Sequence, residues 1–289
     1  MTTAPVLIHR HASLGAFRRR ADAWLLEREA EHNLMLALAA RLEKSSVGFE
    51  PPIYLATIER GREILGCAFR TPPFNLLITR LPAEVARPLA RDVAGVYEEL
   101  RGVLGPDPEA AALAEAWSEL RGVVVREGRP AMRERIYQLE RVIAPERPAP
   151  GIARPATDAD LGTVASWVAA FSAEAGVAAN EERTRELVAG GRILLWDDQG
   201  ARSMAASSGD TPNGSRVGFV YTPPEWRGRG YASACVAALS RRILDAGRRF
   251  CFLYTDLSNP TSNSIYRRIG YEPVCDVVDY RFDPAERGT

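Results

Sequence analysis

From Val217 to Ser233 the chain reads Val-Gly-Phe-Val-Tyr-Thr-Pro-Pro-Glu-Trp-Arg-Gly-Arg-Gly-Tyr-Ala-Ser, a run of residue types suited to holding an anion. A strand is expected to end at Thr222, a proline-bearing loop follows, and Gly228 and Gly230 then open a helix. Glycine lets the backbone approach a ligand closely, and the N–H groups of a first helical turn lack intrahelical partners. Such a turn suits a phosphate or pyrophosphate, with Arg227 and Arg229 adding positive charge. A P-loop would need Gly-Lys followed by Ser or Thr, and no such sequence occurs. The dinucleotide fingerprint is met only in part. Gly228-Arg229-Gly230 fits it, but Ser233 stands at the third glycine's place and a loop separates the glycines from their strand. A plain strand-to-helix turn is the other reading of the same residues.

Two segments together carry a resemblance. Arg227-Gly228-Arg229-Gly230-Tyr231-Ala232 fits the pattern Gln/Arg-x-x-Gly-x-Gly/Ala. Downstream, Asn259, Tyr266, Gly270 and Tyr271 fit Asn-(six residues)-Tyr-x-x-x-Gly-Phe/Tyr. In this order the motifs resemble those of the GNAT superfamily of N-acetyltransferases, over roughly residues 152 to 282. The resemblance implies acetyl-CoA as acetyl donor and direct transfer to an amine, with no acyl-enzyme. It implies that the backbone of Val220, Tyr221 and Thr222 holds the thioester and pantetheine arm. The turn from Gly228 to Ser233, including Tyr231 and Ala232, would face the pyrophosphate, and Asn259 would lie near the pantetheine arm.

It also gives Tyr266 the role of general acid. A phenol with a pKa of about 10 is protonated at neutral pH and can donate to a departing thiolate of about 8.5. A core tyrosine is the alternative. Around it, Asn259 before Pro260 is a good helix cap followed by proline at the first helical position, and Gly270 suits a left-handed helix end. The general base has no motif. Asp256, at the end of the preceding strand, is the candidate, with turn capping as its other role; Glu225 reads as a solvated loop residue.

These residues need a frame. Beyond the linker the pattern predicts a strand at Ile152 to Pro155 and a helix opened by Thr157-Asp158 through Val164, Val168 and Phe171. A helix at Glu181 to Val188 and strands at Arg192 to Trp196, Arg202 to Ser207 and Ser215 to Thr222 follow. Then come a helix from about Gly230 to Ala246, a strand at Phe250 to Thr255, a helix from Pro260 to Ile269 and a strand through about Val274 to Phe282. The expected class is α/β (α+β): two tandem GNAT-like domains, each a mixed, mostly antiparallel twisted sheet flanked by helices.

The proline-rich segment 145–151 marks the linker between residues 1–144 and 152–289. The first half repeats the pattern weakly, with helices in Ala16 to Leu42, two strands at Ile53 to Glu59 and Ile64 to Phe69, the run Leu76-Leu77-Ile78-Thr79 after Thr71-Pro72-Pro73, a helix from about Glu84 to Leu100, and a strand at Met132 to Val142. Its counterpart of the Gly-rich turn reads Thr79-Arg80-Leu81-Pro82-Ala83-Glu84, without glycine and with a carboxylate at the phosphate's place. Cofactor is therefore expected only in the second half, and the first is expected to be non-catalytic.

Composition sets limits. The 289 residues are 46% hydrophobic and 26% charged, as in an ordinary globular protein. Thirty-seven basic residues balance 37 acidic ones, so no global field draws the chain to nucleic acid or acidic lipid. All 3 histidines, His9, His11 and His32, precede the second half, which argues against a Ser-His-Asp hydrolase or a His-rich zinc enzyme, and no metal is expected. The 4 cysteines show neither disulfide nor metal-ligand spacing, and no run is long and apolar enough for a membrane span. The N-terminus lacks a secretory-type leader. The expectation is a cytoplasmic N-acetyltransferase, monomer or homodimer, acting on an amine-bearing small molecule or peptide. An acyl-CoA-binding sensor or interaction module without turnover is the alternative.

Overall fold

A computed structural model describes residues 4–45, 49–127, 133–144, 149–175 and 179–283. The chain begins β1 (Val6–Arg10), α1 (Leu14–Glu27), α2 (Asn33–Lys44), β2 (Tyr54–Arg60), β3 (Glu63–Arg70) and β4 (Leu76–Ile78). It continues α3 (Ala86–Ala94), β5 (Gly102–Pro106), α4 (Glu109–Arg121), β6 (Val124–Glu127) and β7 (Arg133–Leu139). Next are β8 (Ile152–Pro155), α5 (Leu161–Ala175), α6 (Glu181–Ala189), β9 (Ile193–Asp197), β10 (Ala201–Asp210) and β11 (Gly214–Tyr221). It ends α7 (Tyr231–Asp245), β12 (Phe250–Asp256), α8 (Pro260–Arg268) and β13 (Glu272–Asp283).

Two compact units result: Met1–Glu134 with Cys275–Thr289, and Arg135–Val274. The proline-rich segment is the boundary expected from sequence. The units run otherwise, because most of β7 joins the second unit and most of β13 joins the first. Pro145 to Pro148 of the expected linker lie outside the described residues.

In the first unit the strand order is β1-β2-β3-β4-β5-β13, with β6 also on β13. Its pairs are antiparallel except the parallel β4/β5. Alternation along β2 sends Tyr54, Ala56 and Ile58 to a core with Leu89 and Val93 of α3 and Leu113 and Trp117 of α4. Leu55 faces the other way, with Phe17 and Leu25 of α1 and Met35 of α2. The expected helix from Glu84 to Leu100 is shorter: a 3-10 turn at Ala83–Val85 leads into α3, which stops at Ala94. β1, β5, α4 and β6 had no counterpart in the sequence reading.

The second unit has the order β7-β12-β11-β10-β9-β8. Leu195, Met204 and Ala206 pack under Val164, Val168 and Leu187 of α5 and α6. Leu194, Ala205 and Val217 pack on the opposite face against Val236 and Leu239 of α7 and Tyr266 of α8. The expected elements of this half are all present, most with ends shifted by a residue or two; β10 runs three residues past its expected end, and a 3-10 turn precedes α5. The observed class is the expected mixed, mostly antiparallel sheet flanked by helices. Among the described residues, no helix is long and apolar enough to cross a membrane.

Candidate functional site

The site grows from the way β11 leaves its neighbours. β11 and β12 pair in parallel only from Gly214–Phe250 to Arg216–Phe252, although the strands run on to Tyr221 and Asp256. On the other side, Ala206 faces Gly218 but Met204 faces Tyr221, so Phe219 and Val220 bulge out against Ala205. Phe219 takes a left-handed φ of +49°, a conformation that costs a non-glycine residue about 1–2 kcal/mol. A bulge bends its strand and ends its pairing. Val220, Tyr221 and Thr222 therefore lie where the backbone edge is no longer in the ladder with β12. The Thr222 hydroxyl donates to Ser203 Oγ at 2.9 Å, and Ser203 Oγ donates to the Tyr221 carbonyl at 3.1 Å, fixing this end. Ser203 is fully buried on β10.

Beyond Thr222 the chain makes a 3-10 turn at Pro224–Trp226, then passes Gly228 at φ +77° and Gly230 at φ +84° into α7. Both glycines are required by backbone shape and not by crowding. A Cβ on Gly228 would meet nothing within 4 Å, and one on Gly230 only the Ala149 Cβ at 3.8 Å. The turn thus leaves the backbone of both glycines uncrowded and leads into the first amides of a helix, which lack intrahelical partners, a kind of place suited to a phosphate. Ala232 and Ser233 lie in the first turn of α7, and Tyr231 pins it by donating to Asp198 Oδ2 at 2.6 Å.

The two arginines differ. Arg227 straps the loop: its Nε donates to the Thr222 carbonyl at 2.9 Å and its Nη2 to Glu174 Oε1 at 2.6 Å. Its guanidinium is thus paired with a carboxylate on a half-exposed surface, at the residue from which the sequence expects charge for the phosphate. The Arg229 guanidinium lies 4.8 Å from the Trp226 ring centroid, and the Arg202 guanidinium lies 3.7 Å from it.

α8 forms as its residues dictate. Asn259 Oδ1 caps it by accepting from the Ser262 amide at 3.0 Å, and Pro260 fills the first helical position. Gly270, at φ +105°, ends it, and a Cβ there would come within 2.7 Å of the Arg141 carbonyl. Tyr266 is buried, its ring 5.9 Å from that of Tyr271 and 6.5 Å from that of Tyr137. Burial alone pushes its hydroxyl up to about 12. Asp256 takes its turn role: Oδ1 accepts from the Ser258 amide at 2.7 Å. Tyr137 and Ser203 were not singled out from sequence. Tyr137 reaches this core on β7, whose alternating pattern was legible but whose destination was not.

Among its described residues, the first unit differs at the corresponding place. Its 3-10 turn Ala83–Val85 follows Pro82 as Pro224–Trp226 follows Pro223, so Glu84 corresponds to Glu225. α3 then starts at once at Ala86, whereas α7 starts after Arg227–Gly230. The counterpart segment Thr79–Glu84 thus passes from its 3-10 turn directly into a helix, without an intervening glycine-bearing stretch. Glu84 is instead within 3.3 Å of Arg60. Beside the β4/β5 pair, a Cβ on Gly105 would fall 2.4 Å from Ile78 Cγ1.

Residues 198–280 match the family model described as FR47-like protein. A GNAT-family acetyltransferase from Colwellia psychrerythraea superposes with a TM-score of 0.58 at 13% identity, covering 96% of this chain and 100% of the other. A GCN5-related N-acetyltransferase from Sphaerobacter thermophilus gives 0.57 at 17%, covering 98% of both chains. A Drosophila protein gives 0.66 at 15%, covering 97% and 99%. No curated protein matches. The resemblance carried by the two motifs thus holds for the architecture that contains them, and the chain has the fold of the GNAT superfamily.

Proposed function

We propose that this protein is an acetyl-CoA-dependent N-acetyltransferase whose second unit binds acetyl-CoA and passes the acetyl group directly to a primary amine. The observation that carries this reading is the divergence of β11 from β12 past Arg216–Phe252, ending in the Gly228–Gly230 turn at the start of α7. A donor with an extended arm and an anionic end fits such a frame. Val220 to Thr222 would hold the arm through their backbone, and Gly228 to Ser233 would hold the pyrophosphate. Acetyl-CoA supplies an activated thioester. The chain's own residues orient it, exclude water with the aromatic packing around Tyr266, and keep a proton on the Tyr266 hydroxyl for the departing sulfur. At about 12 that hydroxyl stays protonated throughout the neutral range. Asn259 stands at the α8 cap near the arm's expected path, and Asp256 is the carboxylate nearest in sequence to accept the amine's proton.

A second reading, an acyl-CoA-binding sensor, draws on one observation: Asp256 already serves its own turn through Oδ1. Thiol release from acetyl-CoA across a panel of primary amines, with mass spectrometry of the amine, separates the two. Acetylated amine in step with thiol supports transfer; cofactor binding without thiol release would replace it with the sensor.

A further inference from the structure

Tyr137 precedes the linker, yet it belongs to the second unit, where it is fully buried. A phenylalanine would fill the same core, so the hydroxyl calls for an explanation: burying it is costly unless it is bonded. Both its partners lie on α8. It donates to Asn263 Oδ1 at 3.1 Å and accepts from Arg267 Nε at 3.2 Å. Asn263 carries the link onward, its Nδ2 donating to the Asp256 carbonyl at 2.8 Å and the Asn259 carbonyl at 2.7 Å. One hydroxyl is thereby tied to the β12–α8 turn, to its two candidate site residues, and to the helix that carries Tyr266.

We propose that Tyr137 is a positioning residue for acetyl transfer, holding α8 through Asn263 in the register at which the Tyr266 hydroxyl serves the leaving sulfur. The proposal rests on the reading of Tyr266 as proton donor. In it, a residue from before the linker completes the reacting end of the second unit.

The test uses the full chain and a double-mutant cycle. Activity is read as thiol release from acetyl-CoA with the most active amine of the panel, or with water as acceptor. Tyr137→Phe is expected to lower kcat about tenfold, as a small misplacement of a reacting group does, with KM for acetyl-CoA within about twofold. In a Tyr266→Phe background the same change should alter kcat less than about twofold, because there is no hydroxyl left to position. Asn263→Ala breaks the link from its other end and should show the same split. A lower melting temperature with unchanged kcat per folded molecule would overturn the positioning role, and so would a loss repeated in full in the Tyr266→Phe background. If Tyr266→Phe alone leaves turnover unchanged, the donor reading itself has failed, and this result is distinct from a failure of Tyr137.

Discussion

Tyr266 and Gly230 carry different parts of the account, and their variants should fail in different ways. Tyr266→Phe keeps the ring and its packing against Tyr137 and Tyr271. It should cut kcat by roughly 10²- to 10⁴-fold and leave acetyl-CoA affinity nearly unchanged, because the anionic end is held elsewhere. Turnover within about threefold of the parent would leave Tyr266 as a core residue. Burial raises this hydroxyl, so the donor is present at low and neutral pH and is lost only as pH rises through about 12. A pH–rate profile should therefore show no alkaline loss at the ordinary phenol value of about 10. Gly230→Asp adds a side chain at φ +84° and a negative charge at the anion-holding turn, and should abolish acetyl-CoA binding. Gly230→Ala has the same backbone strain without the charge and should retain weakened binding. Ala83→Asp, at the exposed 3-10 turn of the first unit, should leave affinity untouched. Equal losses in Gly230→Asp and Ala83→Asp, read by calorimetry, would contradict a single working site.

At the scale of elements, legibility followed punctuation. The second half shows its turns in glycine, aspartate and asparagine, and its helices by their caps. Asn259, for instance, accepts from the Ser262 amide at 3.0 Å and starts α8. β5, Gly-Val-Leu-Gly-Pro, carries no strand expectation because its glycines answer to neighbours the sequence does not reveal. A Cβ on Gly102 would fall 2.0 Å from the Tyr280 carbonyl, and Gly105 lies against Ile78. α4 follows Pro108 without a side-chain cap. The bulge at Phe219 leaves no compositional mark, so the opening of β11 from β12 was not readable. One legible start can be tested. Thr157 and Asp160 form a capping box before α5, and Asp160 also takes a two-pronged bond from Arg154 at 2.8 and 2.9 Å. The Arg154 guanidinium holds the Asp160 carboxyl well below the usual carboxylate range. That contribution to stability is complete above the unfolded pKa of about 3.9 and is lost as pH falls through the lower folded value. Asp160→Asn should therefore cost about 1–2 kcal/mol at neutral pH, with the gap from the parent closing in acid below about pH 4 in thermal melts.

For the molecule as a whole, the linker in sequence is not the boundary in space. β7 and β13 both read as strands from their alternation, but nothing in their composition tells which sheet each joins. β7 is the strand beside β12 in the second unit, and β13 pairs with β5 and β6 in the first. A fragment of residues 152–289 would lack β7 and carry β13 without its partners. It should give no cooperative melt by circular dichroism, whereas the full chain should unfold cooperatively; an independently folded, cofactor-binding fragment would contradict the exchange of strands. The duplicated architecture also raises the question of how many sites the chain has. Among the described residues, the glycine-bearing segment between 3-10 turn and helix stands before α7 and not before α3, and Ile78 lies close on Gly105 beside β4/β5. The most direct test of the central claim is calorimetric titration of the full chain with acetyl-CoA. Saturation at one molecule per chain, lost in Gly230→Asp, is expected. No binding at millimolar acetyl-CoA, or saturation at two per chain, would contradict it.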